Sequence, residues 1–289
     1  MPNEMHFPDN GIIPPHWHHI MLRDERRCGA FRRAIEREVQ PGHVVLDVGA
    51  GTGLLSYFAA QTASFVDAVE ADANVAALGQ HLVALNGLGE KVHYAHCRAQ
   101  DYVPERPVDI VLCEMMHGGL VVEQQVAVLN AVHATLATSF PRHPYRVIPA
   151  EAVLYCQLVE TDFDYYGYSA PFVWMGDAYV ADQFTRTLSP LGSYAHCDFS
   201  APLPIAIDGH CRLVADAAGT ANAIRILTQA VLSYDETLSS EERLIDWYLN
   251  YIVIPLPETL ATQPGDAFQV EIAYAAGCAL DQIRLQVRR

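Results

Sequence analysis

The chain is short of basic residues, of long apolar runs and of paired cysteines, and each shortage removes a class of function. Lys and Arg number 18 against 34 Asp and Glu, a formal net charge of −16. Such a surface repels phosphate backbones and anionic headgroups and draws cations from a distance, so neither nucleic acid nor membrane is an expected partner. No stretch approaches the eighteen or so uninterrupted apolar residues that suggest a helical membrane span. The opening MPNEMHFPDNGIIPPHWHH lacks the basic segment and apolar core of an export signal. The seven cysteines, from Cys28 to Cys278, are odd in number and include no C-x-x-C pair, which argues against a disulfide framework and against a four-cysteine zinc centre. A reducing cytoplasm is the expected setting. Internal repeats and low-complexity tracts are also missing.

What is present is enough apolar material, 51% of 289 residues, to bury one large core or two modest ones. From about Arg23 to Ala137, helical stretches (RDERRCGAFRRAIEREV, LLSYFAAQTA, NVAALGQHLVALNGL, EQQVAVLNAVHATL) alternate with short β-branched runs (HVVLDV, VDAVEA, KVHYAH, VDIVLC). That alternation predicts βαβ units on a parallel sheet. After Pro149 the rhythm changes to AVLYCQLVE, CRLVAD, AIRILTQAVLSY, YIVIPL, AFQVEIAYAA and QIRLQV, separated by Pro, Gly, Asp and Ser, which predicts an antiparallel barrel or sandwich. The segment SFPRHPYRVIPAE, with three prolines, is the expected hinge between the halves.

Two stretches carry chemistry. In VVLDVGAGTGLLSYFAA a strand ends at Asp47, and Gly49, Gly51 and Gly53 form a tight turn into a helix, where backbone can approach a ligand that side chains would exclude. About twenty residues on, the next strand ends at Glu70, placed to accept hydrogen bonds from ribose hydroxyls. The glycines are spaced G-x-G-x-G after an aspartate, whereas a dinucleotide fingerprint reads G-x-G-x-x-G; a nicotinamide oxidoreductase is the weaker reading of this half. The second stretch is CEMMHGGLVVE, which sets Glu114 and Glu123 nine positions apart at the end of the apolar run VDIVL. Two carboxylates there suit a solvated loop edge, a metal site, an acid/base pair or a clamp for an organic cation. The histidines His16, His18 and His19 have no companion ligands at convincing spacing, so a polar lid is expected and a metal is not.

The glycine turn resembles the first motif of the class I S-adenosylmethionine-dependent methyltransferases. CEMMHGGLVVE resembles the double-glutamate loop of the protein arginine methyltransferases, whose pattern is S-E-x-M-G with a second Glu nine residues after the first. HHIMLRDERRCGAFRRAI is similar to the same family's H-x-x-M-L-x-D-x-x-R helix, with His18, Met21, Leu22, Asp24 and Arg27 on the matching positions. VIPAEAVLYC resembles the entry into the family's β-barrel, and DWYLNYIVIPL the region of its Thr-His-Trp loop. The similarity runs from about His18 to the C-terminus.

The resemblance implies an N-terminal helical segment and a Rossmann-like doubly wound methyltransferase domain over residues 1–148, then an antiparallel β-barrel for acceptor binding and dimerisation over 149–289. It implies S-adenosyl-L-methionine as cofactor and a guanidino group as acceptor. Arg27 would pair with the cofactor's carboxylate, Glu70 would hold its ribose and Asp101 its adenine amino group. Asp47, Gly49, Gly51 and Gly53 would shape the turn that admits it, with His18 and Met21 beside it. Glu114 and Glu123 would grip the acceptor. Arginine's guanidinium is planar, stays protonated and presents a fork of donors that carboxylates match; two acids would localise its charge away from one terminal nitrogen and fix that nitrogen in line for transfer. The aromatic stretch FDYYGYSAPFVWMGDAYV falls where the family inserts a dimerisation arm, so a homodimer is expected.

The chain also departs from the pattern. Asp246 stands where the family has its loop histidine, the usual partner of the helix aspartate, here Asp24. Two carboxylates can pair only if one is protonated or a cation lies between them. The N-terminal Y-F-x-x-Y segment is missing too. An extra acid suits free L-arginine or a small guanidino compound, whose α-ammonium needs a carboxylate. Protein or peptide arginine is the alternative acceptor, favoured by the acidic surface, and a catalytically silent binding protein on the same fold is a third reading.

Overall fold

The computed structural model describes residues 15–176, 182–233 and 244–289, with backbone alone for 15, 16 and 244–250. Two helices open it, α1 (Pro15–Arg23) and α2 (Glu25–Glu38). Asp24 is the N-cap of α2, its carboxylate accepting from the Arg27 N–H at 2.9 Å, which satisfies one of the donors a helix start leaves open. On α2 the buried residues Arg27, Ala30, Phe31, Ala34, Ile35 and Glu38 recur at three- and one-residue steps, a single stripe facing the core.

The alternating pattern resolves into β1 (Val44–Val48), α3 (Leu54–Ala60), β2 (Phe65–Glu70), α4 (Ala73–Leu85), β3 (Val92–His96), β4 (Ile110–Cys113), α5 (Gln125–Ser139) and β5 (Arg146–Ile148). The strands form one parallel sheet in the order β3-β2-β1-β4-β5. All four residues of β4 are buried, as are Val45 to Val48 of β1, because helices cover both faces of such a sheet. From β1 the chain builds outward on one side through β2 and β3, then returns to β4 on the other. The strand order therefore reverses between β1 and β4, and their carboxyl ends open on the crevice where sheets of this kind bind ligands. The proline-rich segment expected as a hinge contributes β5, the fifth parallel strand; its three residues are hidden in the sequence between Pro144 and Pro149.

The Ile148–Pro149 peptide is cis, and the Ala150 N–H donates to the Val231 carbonyl at 2.7 Å, carrying the chain into the antiparallel half. There follow β6 (Glu151–Thr161), β7 (Asp164–Tyr165), β8 (Tyr168–Ser169), β9 (Trp174–Gly176), β10 (Thr185–Thr187), β11 (Gly192–Asp198), β12 (Ala206–Val214), β13 (Gly219–Val231), β14 (Leu244–Thr262), β15 (Ala267–Ala275) and β16 (Arg284–Arg288). One sheet runs β10-β6-β13-β14-β9 with β11 also on β6, and a second runs β12-β15-β16. The long strands alternate buried and exposed positions, as in β15, so their apolar residues meet between the sheets. A single hydrophobic core joins the two halves: Phe31, Val45 and Leu112 belong to the same cluster as Leu154, Ile226 and Phe268.

Part of the aromatic stretch, residues 177–180, lies outside the described residues. Before it the stretch forms the two-stranded hairpin β7–β8, with Tyr166 (φ +60°) and Gly167 (φ +86°) in its turn, and then β9 on β14. Tyr165, Tyr166, Tyr168 and Phe172 are all exposed. Among the described residues, no helix is long and apolar enough to cross a membrane.

Candidate active site

The glycine turn leaves β1 with three left-handed residues, Gly49 (φ +71°), Gly51 (φ +56°) and Gly53 (φ +85°), a run that residues with a Cβ would not follow without strain. The Gly49 and Ala50 N–H groups donate to the Val69 carbonyl, and the Gly51 N–H donates to Glu70 Oε2 at 2.9 Å. Glu70 Oε1 accepts from the Asp72 N–H, also at 2.9 Å. Each of these oxygens keeps a second lone pair for a hydroxyl. Close neighbours press on the turn: a Cβ on Gly49 would stand 2.7 Å from Met115 Sδ, one on Gly51 2.9 Å from His18 Cε1, and one on Gly53 2.5 Å from Tyr94 Oη. Helix α1, the loop after β4 and strand β3 thus meet at this turn.

Asp47 is 1% exposed and accepts a 2.6 Å hydrogen bond from Ser56 Oγ on α3. Its carboxylate faces inward, tying the strand end to the following helix. Burial pushes its pKa up to about 6, against the bonds from Ser56. Asp101, in the 3-10 turn Ala99–Asp101, is exposed.

Beside the turn, at the end of β4, lies a buried cluster of charges. Arg27 and Glu114 form an ion pair, where the sequence reading had given Arg27 to the cofactor's carboxylate. Arg27 Nη1 is also 3.5 Å from the Met21 carbonyl. Burial lowers the Arg27 pKa, while the charges of Asp24 and Glu123 raise it. Glu123 is pushed up to about 7, by burial first, with Arg27 pulling the other way. Both glutamates of the loop therefore lie within reach of one guanidinium. Asp24 Oδ2 is buried and has no hydrogen-bond partner among the described residues. Asp246 sits on β14 opposite Gln229 of β13; its side chain, like that of His16, lies outside the described residues. No group of three or more His, Cys, Asp and Glu among the described residues is arranged to hold a metal.

The loop from Glu114 to Glu123 is held from both halves of the molecule. On the parallel-sheet side Gln125, fully buried at the start of α5, bonds the Cys113 carbonyl at 2.7 Å and the Met115 N–H at 2.9 Å. On the antiparallel side the Gly119 N–H donates to Thr228 Oγ1 at 2.7 Å and the Gly119 carbonyl accepts from Tyr274 Oη at 2.6 Å. Tyr194 Oη lies 2.7 Å from Tyr274 Oη, behind that contact. The Leu120 carbonyl accepts from the Gly277 N–H at 2.8 Å, and the Val122 N–H donates to the Cys278 carbonyl at 2.9 Å. These bonds hold Leu120 (φ +56°) and Val122 (φ +68°) in left-handed conformations that cost about 1–3 kcal/mol each. His117, also buried, is kept neutral by burial, which lowers its pKa to about 4. Met116 is a core residue.

Sequence reasoning had missed Gln125, Thr228, Tyr274 and Tyr94. One signal for Tyr94 is Gly79 inside α4, where a Cβ would come within 2.5 Å of the tyrosine ring; a glycine in a helix interior often marks such an approach.

Residues 45–139 match the family model described as a methyltransferase domain. Over 94% of its length the chain is 26% identical to an uncharacterized protein of Methanocaldococcus jannaschii, covering 97% of it. Over 159 residues it is 35% identical to protein arginine N-methyltransferase 9 of Xenopus laevis; that match takes in 50% of this chain and only 19% of the frog protein. In structure it superposes on the PRMT1 enzyme–prozyme heterotetrameric complex with AdoHcy of Trypanosoma brucei with a TM-score of 0.75 at 17% identity, over 94% of this chain and 96% of that one. The chain thus joins a segment that matches a methyltransferase domain to an antiparallel β half. By sequence over that core it is similar to protein arginine N-methyltransferases, and its fold over nearly its whole length is similar to that of the Trypanosoma brucei enzyme.

Proposed function

We propose that the protein transfers a methyl group from S-adenosyl-L-methionine to a terminal nitrogen of a guanidino group, and that free L-arginine or a small guanidino compound is its acceptor. The observation that carries this reading is the pair Glu114 and Glu123, largely buried at the crevice and both in the field of Arg27. The cofactor fits the residues present: at Gly49 and Gly51 a Cβ would close the turn, and Glu70 has lone pairs free for a ribose. Gly49, Gly51, Glu70, His18 and Arg27 would hold it, and it would supply an electrophilic methyl carbon on a sulfonium.

The chain's own part is to bind and orient the acceptor. Glu114 and Glu123 accept the guanidinium's N–H groups from two sides, which fixes its plane and draws its charge away from the reacting nitrogen. Arg27 offsets part of the acidic charge, so the pocket suits a monocation. N-methylation releases a proton, and Glu123, with a pKa raised to about 7, is matched to receive it. Asp24, whose buried Oδ2 lacks a partner among the described residues, would take an ammonium donor such as the α-amine of free arginine, with Asp246 the second candidate for that role.

Peptide arginine is the second reading, favoured by the net charge of −16, which draws basic chains, and by the similarity to protein arginine N-methyltransferases. Incubation with labelled cofactor and either L-arginine or an Arg/Gly-rich peptide separates them. Transfer to arginine is expected; transfer to the peptide alone overturns the small-molecule acceptor. Transfer to neither, with S-adenosylhomocysteine still bound, would mean a silent binding protein. We further propose a homodimer built on the exposed hairpin β7–β8, a cytoplasmic setting, and a functional division near residue 149.

A further inference from the structure

We infer that Gln125 is a positioning residue that sets the direction of Glu114 by holding the peptide groups on either side of it. The inference rests on reading Glu114 as an acceptor-binding carboxylate. Strand β4 makes its last sheet pairing at Cys113, opposite Val48, so Glu114 is the first residue beyond the ladder. The Gln125 side chain takes over from there. Its amide N–H donates to the Cys113 carbonyl at 2.7 Å, and its amide oxygen accepts from the Met115 N–H at 2.9 Å and from the Cys113 thiol at 3.5 Å. One planar amide thus stands in for the peptide of a further strand and brackets Glu114 on both sides.

The chemistry of the two ends fixes the residue type. A carbonyl needs a donor and an N–H needs an acceptor, and a neutral carboxamide offers both, whereas an ionised carboxylate only accepts. Gln125 is fully buried, so water does not replace it if it is removed, and a buried bond left unmade is costly. Gln125 also follows Glu123 by two residues. The side chain that orients one acid is therefore bound by the backbone to the other, and the separation of the two is set through a single residue.

The test compares the wild type with Gln125→Met, which keeps length and burial but cannot hydrogen-bond, and with Gln125→Glu, which loses the donor when ionised. Amide hydrogen exchange reads the clamp directly. In Gln125→Met the Met115 amide is expected to exchange at least about tenfold faster while the Gly119 amide, held by Thr228, is unchanged. Methyl transfer to the acceptor the wild type uses falls about 10- to 100-fold in kcat, and S-adenosylhomocysteine binds within about threefold of wild type. Gln125→Glu falls between the two. Unchanged exchange at Met115, or unchanged kcat despite faster exchange, overturns the inference. So does a kcat loss matched by equal losses of S-adenosylhomocysteine binding and thermal midpoint, the mark of general destabilisation. A wild type that methylates no guanidinium defeats the reading of the site instead; selective loss of protection at Met115 then upholds the clamp, and its absence refutes it.

Discussion

At the scale of single residues, the site is governed by how far burial raises the pKa of Glu123 against the pull of Arg27. A carboxylic acid with a pKa of about 7 in the folded chain and about 4.3 when unfolded binds its proton more tightly in the native state. Its contribution to stability is therefore full below about pH 4 and is lost as pH rises through 7. Asp47, pushed up to about 6, acts in the same direction a unit lower. The thermal midpoint of the ligand-free protein should fall between pH 5 and 8, and the fall should be smaller in Glu123→Gln, which never ionises; equal slopes in the two proteins would contradict the assignment. Guanidinium binding has the opposite sign, because the acceptor stays charged and needs Glu123 ionised. Calorimetry should show affinity rising up to about tenfold per pH unit below 7 and levelling above it. A flat profile would mean that Glu123 does not touch the acceptor.

At the scale of elements, the double-glutamate loop is a strained segment held between a parallel sheet and an antiparallel one. Thr228→Val leaves the Gly119 N–H without its acceptor, a loss of about 1–3 kcal/mol for a buried group. It should lower kcat through Glu123 while S-adenosylhomocysteine binding at the glycine turn, which Thr228 does not hold, is kept. Tyr274→Phe should act in the same direction and more weakly, since a carbonyl tolerates a lost partner better than an N–H does. Titration of S-adenosylhomocysteine alongside steady-state kinetics checks both variants, and parallel loss of binding and turnover would place the anchors' role in folding alone.

The same loop shows what a sequence can carry. Its two acids, the glycine turn and Glu70 were legible because each is fixed by local spacing at the end of a β-branched run. The main strands and helices were legible for the same reason, through apolar periodicity. Strand β11, GSYAHCD, was not, since Gly, Ser and Asp give it the look of a loop and it gains its place by pairing with β6. Strand β5 was hidden by flanking prolines. Thr228 and Tyr274 are more than a hundred residues from the glycine they hold, and no local pattern ties them to it. The bond from Ser56 to Asp47 was not legible either, because a position beside the turn says nothing of which way the side chain points.

At the scale of the molecule, one core runs through both halves, so the antiparallel half is positioned to hold the loop as rigidly as the sheet that bears it. The hairpin β7–β8, with Tyr166 fully exposed, extends from this body with its aromatic rings in water, which is unfavourable for an isolated monomer. Replacing Tyr166 and Tyr168 with Ser should convert a dimer to a monomer in sedimentation equilibrium; a wild type that is monomeric at every concentration would remove the dimer. The central claim is that two buried acids at the switch point of the sheet grip a guanidinium for methylation. Mass-spectrometric localisation of the methyl group after reaction with L-arginine or an arginine peptide tests it most directly. The account predicts a methyl on a terminal guanidino nitrogen with the wild type and none with Glu114→Gln or Glu123→Gln, and undiminished transfer by either variant, or a methyl on any other atom, would contradict it.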